Sequence, residues 1–132
     1  MVKTAIPLAA SAEIEVLEFG RGHTKMRMPF KPNRNHVGTM YAGALFTLAE
    51  IPGGAVLMSA FDMQTFFPTL AKINTTFIAP AKTAVTVTLD MSEEELERIE
   101  NEATETGKSV FILELDLKDE NGVVVAKTVG HY

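Results

Sequence analysis

The chain has 132 residues, 46% of them hydrophobic, which fits a single domain over 1–132 with one buried core that folds without covalent staples. It contains no cysteine, so disulfides, a thiol nucleophile, thiolate metal sites and thiol redox chemistry are excluded. Twelve Lys and Arg against 17 Asp and Glu give a net charge of -5, which argues against nucleic acid as a partner but leaves room for a local basic patch facing one phosphorylated ligand.

The opening stretch Met1–Ala12 mimics a signal peptide only loosely, since Pro7 breaks its short apolar run, and it reads as an ordinary leader into the first strand. Ile14 and Val16 then alternate with Glu13 and Glu15, and Met26 and Met28 with Lys25 and Arg27, with a turn at Gly20-Arg21-Gly22. From Met40 to Ala60 apolar residues appear on every side of a helix: Leu45, Phe46, Leu48, Ile51, Val56, Leu57 and Met58. A soluble helix of this kind must be enclosed, and one curling sheet is expected to enclose it. The run is long enough to span a bilayer, but Glu50 at its centre is costly in lipid, so no membrane is expected and a cytoplasmic location follows. Pro52 removes the hydrogen bond to the Leu48 carbonyl and predicts a kink near Glu50.

Thr69–Thr76 is strand-like, and Val85, Val87 and Leu89 alternate with Thr86, Thr88 and Asp90. Ser92-Glu93-Glu94-Glu95 is a capping box that opens a short helix with Leu96, Ile99 and Ala103 on one stripe. Gly107 stops that helix, and Glu94 is placed to pair with Arg98. Phe111, Leu113, Leu115 and Leu117 alternate with charged residues, and Asn121-Gly122 signals a two-residue hairpin into Val123–Val129. Hairpin, long helix and further antiparallel strands give an α+β plan, an antiparallel β-sheet wrapped around a long central helix, which is the hot-dog fold.

The segment Asn35-His36-Val37-Gly38-Thr39-Met40-Tyr41-Ala42-Gly43, ending in Leu48-Ala49-Glu50, resembles the signature of hot-dog thioesterases of the phenylacetyl-CoA type. In that signature an Asn, a Gly, a His-Gly-Gly and a Leu-Ala-Asp follow at the same spacing, and Phe77–Lys82 resembles the strand end that comes next. The Tyr-Ala-Gly and Leu-Ala-Glu variants are most similar to a less characterised thioesterase subgroup. The resemblance implies an acyl-thioester hydrolase, with CoA as the expected carrier and no cofactor. It also implies that Glu50 is the catalytic carboxylate and that the backbone N–H groups of Ala42 and Gly43 hold the thioester oxygen. Tyr41 replaces the His of the signature. The Ser or Thr helper of several relatives would fall at Leu70, where only neighbouring Thr69 could serve.

The residues support this chemistry on their own. Thioester hydrolysis needs a base near the carbonyl carbon and donors aimed at the developing oxyanion. Glu50 is the lone acid of an apolar helix, where burial raises a carboxyl pKa, and the free N–H groups at the helix start favour negative charge. Seven or eight residues separate the two parts, roughly 10–12 Å at about 1.5 Å per residue, whereas both must lie about 3 Å from one carbonyl. Two antiparallel helices across a two-fold axis would bring them together, so catalysis predicts a homodimer with two shared sites. Whether dimers pair into tetramers is left open.

Several residues admit two roles. Asn35 either orients substrate or holds a turn, and Gly38 and Gly43 allow tight backbone packing in an enzyme or a binding module alike. Tyr41 lines a pocket or forms a rim. Lys72 neutralises Glu50 if it faces the helix and means little if it faces solvent. Lys31, Arg34 and Lys82 lie in loops where CoA phosphates could meet them. His36 has no visible partner, and His23 and His131 have no supporting context. No metal-ligand spacing, Gly-x-Ser-x-Gly elbow or phosphate-cradling loop is present. The alternative to an enzyme is a non-catalytic module that binds an acyl chain or CoA. A third reading is a structural dimer with Glu50 paired to Lys72.

Overall fold

The computed structural model describes residues 5–132. A short helix α1 (Pro7–Ala12) leads into the hairpin β1 (Glu15–Gly20) and β2 (His23–Met28). A 3-10 turn (Lys31–Asn33) and a loop reach the long helix α2 (Ala42–Ala60). Then come β3 (Lys72–Phe77), β4 (Val85–Asp90), α3 (Glu93–Thr106), β5 (Ile112–Asp119) and β6 (Val124–His131). The six strands form one antiparallel sheet in the order β1-β2-β4-β5-β6-β3, with α2 packed across its inner face. This is the hot-dog arrangement. Of the opening stretch, residues 1–4 lie outside the described residues, and Pro7–Ala12 is a helix rather than a plain leader.

Period two decides which way the central strands face. Thr24, Met26 and Met28 of β2, Val85, Val87 and Leu89 of β4, and Leu113, Leu115 and Leu117 of β5 are buried, while the residues between them point outward. The apolar side chains among them meet Leu45, Leu48, Ile51 and Val56 of α2 in one core. A sheet with one wet face needs this alternation, and the sequence supplies it.

Four details differ from the sequence-based expectation. In β1, Ile14 is fully buried but precedes the strand, Val16 opposite buried Met26 is 41% exposed because β1 is the sheet edge, and a bulge follows between Val16 and Glu18. An extra residue in one strand turns the following side chains to the other face, which alternation alone does not reveal. The β5–β6 connection is the three-residue loop Glu120-Asn121-Gly122, closed by the Asp119 N–H donating to the Val123 carbonyl at 3.0 Å, with Gly122 at φ 79. On α3, Ser92 Oγ accepts from the Glu95 N–H at 3.1 Å as expected, but Arg98 pairs with Glu95 and Glu102 rather than Glu94. Both partners lie one turn from Arg98, and either spacing serves an ion pair on a helix.

The fourth difference matters most. The single sheet does not enclose α2. Ala44, Leu45, Leu48, Ala49, Ile51–Gly53 and Ala55–Leu57 are buried, but Gly43, Phe46, Thr47, Glu50, Gly54 and Met58 are not. These six recur at three- and four-residue spacing and so share one side of the helix. Phe46 is 39% exposed and Met58 45%.

The far end of α2 is held by the first hairpin. Arg21 Nη1 donates to the Ala60 carbonyl at 3.1 Å while its Nε pairs with Glu93 at 2.7 Å, and the Gly22 N–H donates to Ser59 Oγ at 3.1 Å. Gly22 has φ 73, and a Cβ there would lie 2.6 Å from the Met91 carbonyl oxygen, so this turn requires glycine.

Candidate functional site

The loop before α2 is built to present the helix start. Buried Asn33 donates from Nδ2 to the carbonyls of Ala12 and Pro29, both at 2.8 Å. The Tyr41 N–H donates to the Asn33 carbonyl and the Met40 N–H to the Ala81 carbonyl, each at 2.8 Å. Asn35 spends its side chain within the loop: Oδ1 accepts from the N–H groups of Val37 (3.0 Å) and Thr39 (3.1 Å), and Nδ2 donates to Thr39 Oγ1 at 2.9 Å. Of its two candidate roles, the turn is the one observed. Gly38 sits at φ 83 with open space around it, so its conformation rather than crowding calls for glycine.

Tyr41 caps α2 with its backbone; its carbonyl accepts from Ala44 and Leu45, and its exposed ring lies over Gly43, where a Cβ would collide with it. The Ala42 and Gly43 N–H groups have no acceptor among the described residues. Two aligned donors at a helix N-terminus form a local positive site. Ala42 borders a cavity of about 290 Å³, lined also by Asn35, Thr39, Leu45, Phe77 and Pro80. Lys31, Arg34 and Lys82 flank this loop, all exposed and without ion pairs among the described residues.

Glu50 lies two turns further along the open side of α2. It is half-buried, its carboxylate accepts no hydrogen bond among the described residues, and burial holds its pKa above the ordinary carboxylate value of 4.5. It borders a second cavity, about 210 Å³, with Ile6, Ile51, Ala55, Met58 and Pro68. No residue lines both cavities, so one chain keeps the carboxylate and the free N–H pair apart, as the helical rise requires.

Two other expected site residues lie elsewhere. Thr69 is exposed and lines a third cavity with Phe61, Phe66, Ile99 and Phe111. Lys72 is exposed on the outward side of edge strand β3, alternating with Ile73, which packs on the core. Lys72 makes no ion pair with Glu50 within the chain, and burial alone accounts for the raised Glu50 pKa. His36 is exposed in the loop. His23 does have partners: its ring nitrogens meet Asp90 and Glu18, and both contacts raise its pKa, that to Asp90 more, but this cluster joins the β1–β2 hairpin to the end of β4 and lines none of the three cavities.

Sequence reasoning missed Tyr132. Its hydroxyl donates to the Glu50 backbone carbonyl at 3.2 Å, and its ring stacks on Phe111 with centroids 5.5 Å apart. Burial, then the Glu50 charge, pushes its pKa up to about 12, so the phenol stays a donor at neutral pH. The ring lies against bare helix backbone: a Cβ at Gly53 would come within 2.6 Å of it. Glycine inside a helix is unfavourable by about 1 kcal/mol relative to alanine, so Gly53 was itself a sign of close approach.

A family model described as "Domain of unknown function (DUF4442)" matches residues 1–131. No curated protein matches the sequence. Among solved structures, a Pseudomonas aeruginosa protein of unknown function, described as a probable thioesterase, is 38% identical with a TM-score of 0.94, over 98% of this chain and 87% of that one. A thioesterase enzyme from Staphylococcus aureus, solved as a mutant, is 20% identical with a TM-score of 0.76, over 96% of each chain. A thioesterase from Haemophilus influenzae is 15% identical with a TM-score of 0.71, over 94% of this chain and 79% of that one. The last two likenesses speak to the fold alone.

Proposed function

The chain belongs to the DUF4442 family, and on that premise we propose that it is an acyl-thioester hydrolase, acting on acyl-CoA or a similar thioester as a homodimer with two shared sites. One observation carries the proposal: a half-buried carboxylate and a pair of N–H donors, both without hydrogen-bond partners among the described residues, occupy the same uncovered side of one apolar helix, too far apart to act together. A second copy of that helix, antiparallel across a two-fold axis, repairs the separation. The register that sets Glu50 against the partner's Ala42 and Gly43 puts Phe46 and Thr47 on the axis, midway between them. Both already lie on the open side, and an exposed Phe46 then packs against its own copy, as a two-fold interface requires. Gly43 offers no side chain to hold the helices apart.

In this arrangement Glu50 takes a proton from water, whose oxygen adds to the thioester carbonyl carbon. The N–H groups of the partner's Ala42 and Gly43 receive the oxyanion. Collapse re-forms the carbonyl, breaks the carbon–sulfur bond and expels the thiolate, which takes the proton back from Glu50. Water activation fits better than direct attack, because a raised pKa suits a base. Asn35 positions the loop, and Lys31, Arg34 and Lys82 supply local positive charge for a phosphorylated carrier on a protein that is otherwise acidic.

The test is hydrolysis of a panel of acyl-CoAs by the purified protein and by Glu50→Gln. The variant should lose at least about 10²-fold in kcat/KM; no hydrolysis at all, or full rate in the variant, contradicts the proposal. One observation favours a non-catalytic acyl- or CoA-binding module instead: Thr69 does not line the Glu50 cavity, and among the described residues no Ser or Thr does. Acyl-CoA binding without turnover would select that reading.

A further inference from the structure

The cavity beside Glu50 carries an inference about the substrate that rests on the thioesterase reading. Apart from the carboxylate, the described residues that line it are apolar: Ile51 and Ala55 form its buried floor, Pro68 one side, and Ile6 and Met58 the partly exposed outer wall. Ile6 comes from just before α1, so Ala5 and Ile6 lie against the middle of α2. An apolar cavity of this kind is poorly served by water, which needs two or more polar partners.

We propose that this cavity is the acyl pocket, that it takes a linear acyl chain of about six to eight carbons, and that Ile6, Gly54 and Met58 set that length. Size supports the range. A cavity of about 150 Å³ accommodates the six carbons of benzene, and this one is about 210 Å³. Position supports it too. A carbonyl held between Glu50 and the partner's Ala42 has the apolar cavity on the Glu50 side and, on the side of the donor N–H groups, the loop before α2 flanked by exposed Lys31, Arg34 and Lys82. The acyl chain is then held by the subunit that supplies the base, and the thiol carrier by the subunit that supplies the oxyanion donors.

Gly54 offers the most direct probe. A Cβ there would meet only Pro68 Cγ, at 3.9 Å, so the backbone tolerates a side chain that grows into the cavity. Equilibrium binding of free CoA and of acetyl- to dodecanoyl-CoA is measured on Glu50→Gln, in parallel with hydrolysis by the native enzyme. Affinity rises about three- to fourfold per methylene up to six to eight carbons and then levels. Gly54→Leu moves that plateau to four carbons or fewer, and Met58→Ala and Ile6→Ala move it longer. Affinity independent of chain length, or a plateau unmoved in all three variants, overturns the pocket assignment. Chain-length-dependent binding with no hydrolysis by the native enzyme keeps the pocket and removes the thioesterase reading instead. Gel filtration of each variant separates a filled pocket from a disrupted dimer.

Discussion

The two sides of α2 are made of similar residues and have different fates. Leu48, Ile51 and Val56 face the sheet and are buried by residues of their own chain, whereas Phe46 and Met58, no less apolar, face outward. Glu50 belongs to the second side and is half-buried there. The difference teaches that a helix apolar all round carries two covering problems. The sheet solves one within the chain; in the proposed function a second molecule and a ligand solve the other.

That contrast can be broken by substitution. On the sheet side, Leu48→Ala should destabilise the chain by about 2–5 kcal/mol, read by denaturant unfolding, because it empties a fully buried position. Gly53→Ala tests the neighbouring contact with Tyr132; overpacking there should cost about 1–3 kcal/mol, visible as a lowered Tm. On the open side, Phe46→Glu should leave unfolding of the single chain within about 0.5 kcal/mol, as exposed positions do, yet convert dimer to monomer and abolish activity. Sedimentation alongside unfolding separates the two effects, and a Phe46→Glu protein that stays dimeric and active removes the distinction between the sides.

The smallest effect is one of pH. Burial raises the Glu50 pKa in the folded state, so folding favours the protonated form. The resulting penalty is absent below the ordinary value of 4.5 and grows as pH rises from there through the folded-state pKa. Glu50→Gln should therefore be more stable than the native chain near neutral pH, with the difference vanishing in acid. The acid limb of kcat/KM should fall above 4.5, with activity gained as pH rises.

How legible all this was depended on whether a feature is local. The faces of β2, β4 and β5 follow from period two, and the caps of α3 at Ser92 and Gly107 from short-range chemistry, so each could be read from neighbouring residues. The bulge in β1 and the loop at Glu120–Gly122 depend on how two strands meet, which neither strand encodes by itself. Glu50 was legible because a single acid in an apolar run is conspicuous. Tyr132 was not, because it reaches Glu50 across 82 residues of sequence and belongs to no motif. Hydropathy marked α2 as a helix to be covered, but apolarity says nothing of whose atoms do the covering.

The central claim is that one site draws on two chains, and mixing two inactive variants tests it directly. Glu50→Gln removes the base. Ala42→Pro removes one oxyanion donor, which should cost about 10²–10³ in kcat, and proline is well tolerated at the first position of a helix. A mixed dimer has one site with both lesions and one with neither. Equal amounts of the two proteins, allowed to exchange subunits, should recover about a quarter of the native activity per chain. A mixture no more active than its two components would contradict the account.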